Sequence, residues 1–168
     1  YTVAILSNIV NHQLNPILEY SLRSNDINAE ISSGNYDNIV QDSAKYSYSD
    51  VVAVFWEISN IIDGLHYKIN TYNNNEFNQI VQRVKSEIDV VVENLKNTSL
   101  TLFNRFSSLV FSNLNLKANK LDDLCNILNE YLENAVTPNI RLIDIDRIIS
   151  TVSVERSVDF RYYYSSKM

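Results

Sequence analysis

The stretch Thr2-Val3-Ala4-Ile5-Leu6, followed by the polar pair Ser7-Asn8, decides the fold of this chain. A short apolar run bounded by polar residues predicts a strand that is buried on both faces, as in a parallel sheet. Pro16 then opens a helical pattern. A strand, a polar turn and a helix are the beginning of a βαβ unit, and ligands bind beside the loop that ends its first strand.

The rest of the chain continues this alternation. Further strands are predicted at 28–32, 51–56, 98–106 and 140–143, and further helices around 36–44, 77–95, 121–132 and 148–152. Alternating strands and helices predict a three-layer αβα fold with a five-stranded parallel sheet. We expect the strand order of flavodoxin, with the first strand between the second and third and a ligand crevice between the first and third. The chain of 168 residues is expected to form one domain, 1–168.

Composition excludes several classes of function. The net charge of −6, without any cluster of Lys or Arg, argues against a nucleic-acid partner. No apolar run is long enough to span a membrane, so we expect a cytoplasmic protein. Cys125 is the only cysteine, so no intrachain disulfide forms, and its helical spacing predicts a buried side chain. The spacing of two histidines and one cysteine predicts no metal site, and the two glycines make no phosphate loop.

Four segments are expected to meet at the carboxyl edge of the predicted sheet. The residues predicted to bind a ligand there are Ser7, Asn8, Trp56, Glu57, Asn60, Asn104, Asp159 and Arg161. Ser7 is a candidate nucleophile only if a base reaches it, and neither His12 nor His66 belongs to a triad motif.

Carboxylates give the remaining catalytic candidates at this edge. Glu57 beside Trp56 is a candidate acid or base, with a carboxylate that caps nearby amides as the alternative. Asp159 is the third catalytic candidate, after Ser7 and Glu57. Asp144 and Asp146 are similar in spacing to a phosphatase motif, but the residues after them do not continue it, and helix capping explains both better.

Three stretches carry a resemblance to a known family. They are Val3 to Asn8, Leu142 to Asp146, and the closing Val158 to Met168, which contains Asp-x-Arg-x-Tyr-Tyr. In this order and spacing, the chain resembles the amino-terminal, SGNH-hydrolase-like domain of FkbH-like proteins. The resemblance implies a longer protein with a haloacid-dehalogenase-type (HAD-type) domain beyond Met168, which would use Mg²⁺ and carry its own Asp-x-Asp motif. No cofactor is expected in this domain itself.

The same resemblance implies a role for the whole protein and the loss of the catalytic triad in this domain. The whole protein would load a phosphorylated glyceryl-type unit on an acyl carrier protein, for polyketide or surface-glycan biosynthesis. Compared with SGNH hydrolases, Ile9 stands at the nucleophile position and Tyr162 at the histidine position, so the triad is broken. We therefore expect a degenerate, non-catalytic binding or docking domain. The alternative is an active small-molecule esterase or acyltransferase that uses Ser7 or a carboxylate at the sheet edge.

Overall fold

A computed structural model describes residues 1–111 and 119–159. Five strands form one all-parallel sheet in the order β2-β1-β3-β4-β5. They are β1 (Thr2–Ser7), β2 (Glu30–Ser33), β3 (Val51–Phe55), β4 (Leu100–Asn104) and β5 (Ile140–Ile143). The predicted three-layer αβα fold is confirmed, and so is the place of β1 between β2 and β3.

Seven α-helices occur in the described ranges. They are α1 (Leu14–Arg23), α2 (Ile39–Lys45), α3 (Leu65–Lys68), α4 (Asn74–Leu95), α5 (Lys120–Ala135), α6 (Ile145–Val152) and α7 (Val154–Ser157). Single 3-10 turns lie at Ile58–Asn60 and Ile69–Thr71. None of the helices in these ranges is long and apolar enough to cross a membrane.

Helix α4 shows how the sequence specifies an element. The Asn73 side chain accepts hydrogen bonds from the backbone of Asn75 and Glu76, and the Glu76 carboxylate accepts the Asn73 N–H at 2.7 Å, so the helix begins with a capping box. Its apolar residues recur every three or four positions and are buried against the sheet. The buried stripe is Ile80, Val81, Val84, Ile88, Val91, Val92 and Leu95.

The main core lies on one face of the sheet. Buried side chains of α2, α4 and α5 pack there against alternate residues of β1, Ala4 and Leu6, while Val3 and Ile5 are buried on the opposite face. The strand is therefore buried on both faces, as its sequence predicts. Helix α1 has no fully buried residue and adds none to the main core cluster.

Several element boundaries differ from the sequence prediction, and three of these differences have a clear physical reason. Strand β2 begins at Glu30 because its pairing with β1 begins there. Strand β4 is shorter than predicted because Thr98 belongs to the turn after α4 and Phe106 bonds to the Asn129 side chain instead of a strand. Helix α1 begins at Leu14, so Pro16 lies in the first turn, where its missing N–H costs nothing.

Candidate functional site

The carboxyl ends of β1, β3 and β4 bring most of the predicted site residues together. Asn8, Trp56, Glu57, Asn60 and Asn104 are joined there by hydrogen bonds. All except Glu57, which is partly exposed, are at least nine-tenths buried. The sequence therefore located the edge of the sheet where polar groups concentrate, and the contacts below show what those groups bind.

Two asparagine side chains hold the loop that leaves β3 from opposite sides. The Asn8 amide donates to the Glu57 carbonyl at 2.9 Å, and its oxygen accepts the Glu57 N–H at 2.7 Å. The Asn104 oxygen accepts the Trp56 N–H at 2.6 Å, and its amide donates to the carbonyls of Trp56 and Arg105 at 3.1 and 3.0 Å. Asn60 completes the group by donating to the Asn8 carbonyl at 3.1 Å. We call Asn8 and Asn104 the asparagine clamps.

A third amide repeats the pattern one strand further along. Asn129 of α5 accepts the Phe106 N–H at 2.8 Å and donates to the Phe106 carbonyl at 2.9 Å. Each of these side chains satisfies both backbone groups of one loop residue, as a neighbouring strand would. The amides predicted to bind a ligand at Asn8 and Asn104 are thus engaged with the backbone.

Ser7, the candidate nucleophile, is bound within its own turn. Its hydroxyl donates to the Ile9 carbonyl at 2.9 Å and accepts the Ile9 N–H at 3.0 Å, and the residue is 5% exposed. Short serine side chains commonly close turns in this way. Activation of a serine hydroxyl needs a base within hydrogen-bond reach, and no such bond to a base is formed by Ser7 in the described ranges.

Neither histidine approaches Ser7 as a base would. His66 stacks on Phe111, with ring centroids 4.4 Å apart, and meets Tyr67 edge-on at 4.9 Å. His12 is exposed in the loop before α1. The structure therefore places His66 in an aromatic cluster and forms no Ser–His pair in the part of the chain that it describes.

Glu57 shows features of both predicted roles, an acid or base and a cap of nearby amides. Its carboxylate accepts from the Ser59 backbone at 3.2 Å and the Ser59 hydroxyl at 3.0 Å, so it caps the 3-10 turn that follows, as the alternative reading expected. Although the residue is partly exposed, its carboxyl group is enclosed by protein. Burial raises the pKa of the Glu57 carboxyl above its ordinary value, and the hydrogen bonds from Ser59 and Ile58 oppose this only in part.

A cavity of about 140 Å³ opens beside this edge, between α2, α4 and the loop after β3. Trp56 and Ile39 form its buried floor, and Asp37, Arg83 and Glu87 bring charge to it. Asp37 is held at the end of β1, because its N–H donates to the Ser7 carbonyl at 3.1 Å. Sequence reasoning found Trp56 and missed the three charged residues. Their only signal was the i, i+4 spacing of Arg83 and Glu87, which is also typical of an ordinary surface ion pair.

A second cavity, of about 340 Å³, lies beside the ends of β4 and β5. Asp144 and Asp146 line it together with Arg105 and Arg147. The Asp144 carboxylate accepts the Arg147 N–H at 3.0 Å and caps α6, while Asp146 accepts the Ser107 hydroxyl. Capping, which the sequence favoured over phosphatase chemistry, is therefore the observed role of Asp144.

The remaining predicted residues lie at the end of the chain. Asp159 is exposed, while Arg161 and Tyr162 lie outside the described residues. Within the described ranges, no group of three or more His, Cys, Asp and Glu side chains could hold a metal ion. Cys125 is buried as predicted, and burial raises the pKa of its thiol.

Known proteins resemble this chain in fold. No protein-family model matches it, and no curated protein matches it significantly. The N-terminal part of BF1531 from Bacteroides fragilis, which contains a phosphatase domain and was solved with Mg, matches with a TM-score of 0.71 and 14% identity over 99% of this chain. This chain spans 46% of that structure.

The lipase Lip_vut3 from a goat rumen metagenome is a second neighbour. It matches with a TM-score of 0.60 and 9% identity, over 85% of this chain and 80% of the lipase. At these identities the likeness defines the fold alone. It carries no information about which residues of this chain are active.

The asparagine clamps lead to a stability prediction. Replacing Asn104 with alanine removes three hydrogen bonds and leaves the buried N–H and C=O of Trp56 unpaired, so we expect the free energy of unfolding to fall by about 2 kcal/mol or more. Urea titration measures it, with the exposed Asn126→Ala on α5 as the control, expected to change stability by less than about 0.5 kcal/mol. Equal losses in the two variants would contradict the clamp.

Glu57 leads to a prediction about pH. The pKa of the Glu57 carboxyl is higher in the folded chain than its unfolded value of 4.5. The protonated carboxyl therefore contributes its whole stabilisation below pH 4.5, and this contribution is lost as the pH rises through the pKa of the folded state. The Glu57→Gln variant keeps a side-chain oxygen that can accept the bonds from Ser59, and it cannot ionise, so it does not lose stability as the pH rises. We therefore expect the variant to be more stable than the parent at pH 7, by about 1.4 kcal/mol for each tenfold difference in proton affinity between folded and unfolded states.

The difference should shrink toward zero below pH 4.5. Urea titrations across this range measure it, and Glu130→Gln, at an exposed position on α5, is the control with no expected trend. A Glu57→Gln variant that is less stable than the parent at pH 7 would show that the carboxylate is stabilising where it lies.

Proposed function

We propose that this chain is a degenerate, non-catalytic SGNH-like domain of an FkbH-like protein, used for binding or docking. The observation that carries the proposal is the state of Ser7, whose hydroxyl is bound on both sides to Ile9. A nucleophile in this turn would first have to break these bonds, and no histidine is bonded to it in the described chain. Ile9, at the position that the resemblance gives to the nucleophile, has no nucleophilic atom.

The alternative is an active esterase or acyltransferase. The fold of the lipase neighbour favours it, and so does the raised pKa of Glu57, which is a property of many acid–base residues. Against it stands the role of Glu57 as the cap of the 3-10 turn, with the acceptor oxygen Oε1 bonded twice to Ser59. We rank binding above catalysis for this reason.

Ester hydrolysis separates the two functions. We expect the chain to hydrolyse simple aryl esters no faster than its Ser7→Ala and Glu57→Gln variants, because the residues that the structure describes assemble no activated nucleophile. Initial rates at matched protein concentration measure this, with thermal unfolding to show that each variant is folded. Turnover well above that of either variant would establish the enzyme and refute the proposal.

The docking part of the proposal concerns helix α6. None of its residues is fully buried, and Ile148 and Val152 are 50% and 47% exposed. We propose that this α6 face packs against a HAD-type domain encoded after Met168, in a cytoplasmic protein. The neighbour BF1531 supports this, since this chain spans less than half of that structure, which contains a phosphatase domain. In this reading, Mg²⁺ and the phosphorylated unit belong to the following domain, and the acyl carrier protein is the partner of the whole protein.

The gene and a surface variant test this reading. We expect the coding sequence after Met168 to continue into a domain with an Asp-x-Asp motif, and an unrelated domain there would refute the assignment.

In that longer protein, Ile148→Ser with Val152→Ser should weaken the association of the two domains after proteolytic cleavage between them. Ile17→Ser on α1, 64% exposed, is the control that should leave it unchanged. Equal association in all three proteins would exclude the α6 face.

A further inference from the structure

The cavity beside Trp56 has hydrogen-bonding groups that the protein leaves unused. Trp56 is 4% exposed and lines the cavity, and its indole N–H donates no hydrogen bond within the described chain. The ring itself is fixed, because it packs on Phe103 and Phe106 at centroid distances of 6.2 and 6.1 Å and its backbone is held by Asn104. The floor of the cavity is therefore a rigid indole ring whose N–H has no acceptor in the described ranges of the protein.

The rim of the cavity carries both signs of charge. Arg83 donates through Nε to Glu87 at 2.8 Å, which uses one of its five N–H donors, and its Nη groups make no hydrogen bond in the described ranges. Asp37 makes no side-chain hydrogen bond there either. Burial and the nearby Glu87 raise the pKa of the Asp37 carboxyl, and Arg83 opposes them. The two carboxylates of the rim are therefore only partly compensated by one guanidinium.

We infer that this cavity binds a small zwitterion that carries an ammonium and a carboxylate on adjacent atoms, such as an α-amino acid. The ligand carboxylate accepts from the Nη groups of Arg83 and the indole N–H of Trp56, and its ammonium donates to Asp37 and Glu87. The inference goes beyond the docking role, because it concerns a different surface and does not depend on whether the sheet edge is catalytic.

The charges of the rim disfavour ligands that carry a single charge. The rim holds two carboxylates and one guanidinium, so a lone anion would meet net repulsion. A lone cation would leave the donors of Arg83 and Trp56 unpaired. The volume of about 140 Å³ is ample for a small molecule such as an amino acid.

Binding of L-alanine and its two half-ligands tests the inference. Propionate lacks the ammonium, and ethylamine lacks the carboxylate, while the rest of each skeleton is shared. NMR titration of the folded chain should give saturable shifts of the Trp56 indole N–H with L-alanine and at least tenfold weaker binding of each half-ligand, the loss typical of one charged hydrogen bond. Ethylamine binding as tightly as L-alanine would show a cation site and overturn the inference, and so would the absence of L-alanine binding.

Three variants locate the site. Arg83→Gln and Asp37→Asn each remove one charge, and we expect each to weaken L-alanine binding at least tenfold. Asn tolerates the left-handed backbone of Asp37, where φ is 55°, so that variant keeps the loop. Arg23→Gln is the matched control, since Arg23 pairs with Glu19 at the same i, i+4 spacing on α1. L-alanine binding that is unchanged in Arg83→Gln and Asp37→Asn would place the ligand elsewhere and overturn the inference.

Discussion

The paired hydrogen bonds that Asn8 and Asn104 make to the loop after β3 are the constraint on which the carboxyl edge depends. A parallel sheet ends where its ladder of backbone bonds ends, and the residues just beyond have N–H and C=O groups without strand partners. Here two side chains continue the ladder, one from the strand on each side of β3. Trp56 and Glu57 are thereby fixed even though they lie outside the strand.

In this arrangement the polar side chains at the sheet edge hold the loops in place. The Asn104 amide donates to two carbonyls, and the Ser7 hydroxyl both donates to and accepts from Ile9. A hydrolytic site needs donors that are free to meet a developing oxyanion, and a base that is free to take a proton. At this edge the side chains of Ser7, Asn8 and Asn104 are instead bonded to the loops. Rigidity is useful to a binding surface, because a preorganised site loses less entropy when its ligand arrives.

The sequence predicted the architecture well because burial leaves a periodic signal. The stripe on α4 and the apolar β1 and β3 were predictable from the pattern alone. Alternation of strands and helices predicts a parallel sheet, and the observed strand order is the one that was expected among the doubly wound orders. The site was less predictable. A polar residue after a strand is equally expected to bind a ligand or a neighbouring loop, and only the three-dimensional partner distinguishes them. For Asn8 and Asn104 that partner is 48 or 49 residues away along the chain.

Arg83 and Asp37, in contrast, line a cavity although nothing in the sequence marked them as functional residues. Arg83 lies on the exposed side of an amphipathic helix, and Asp37 lies in a short loop, so each alone is an unremarkable surface charge. They become part of a cavity because α2 and α4 pack against each other beside the loop after β3, where Trp56 is held by Asn104. The asparagine clamp at Asn104 and the cavity are therefore structurally linked through Trp56. The Asn104 side chain that holds the loop after β3 also fixes Trp56, which is the floor of the cavity beneath the charged rim.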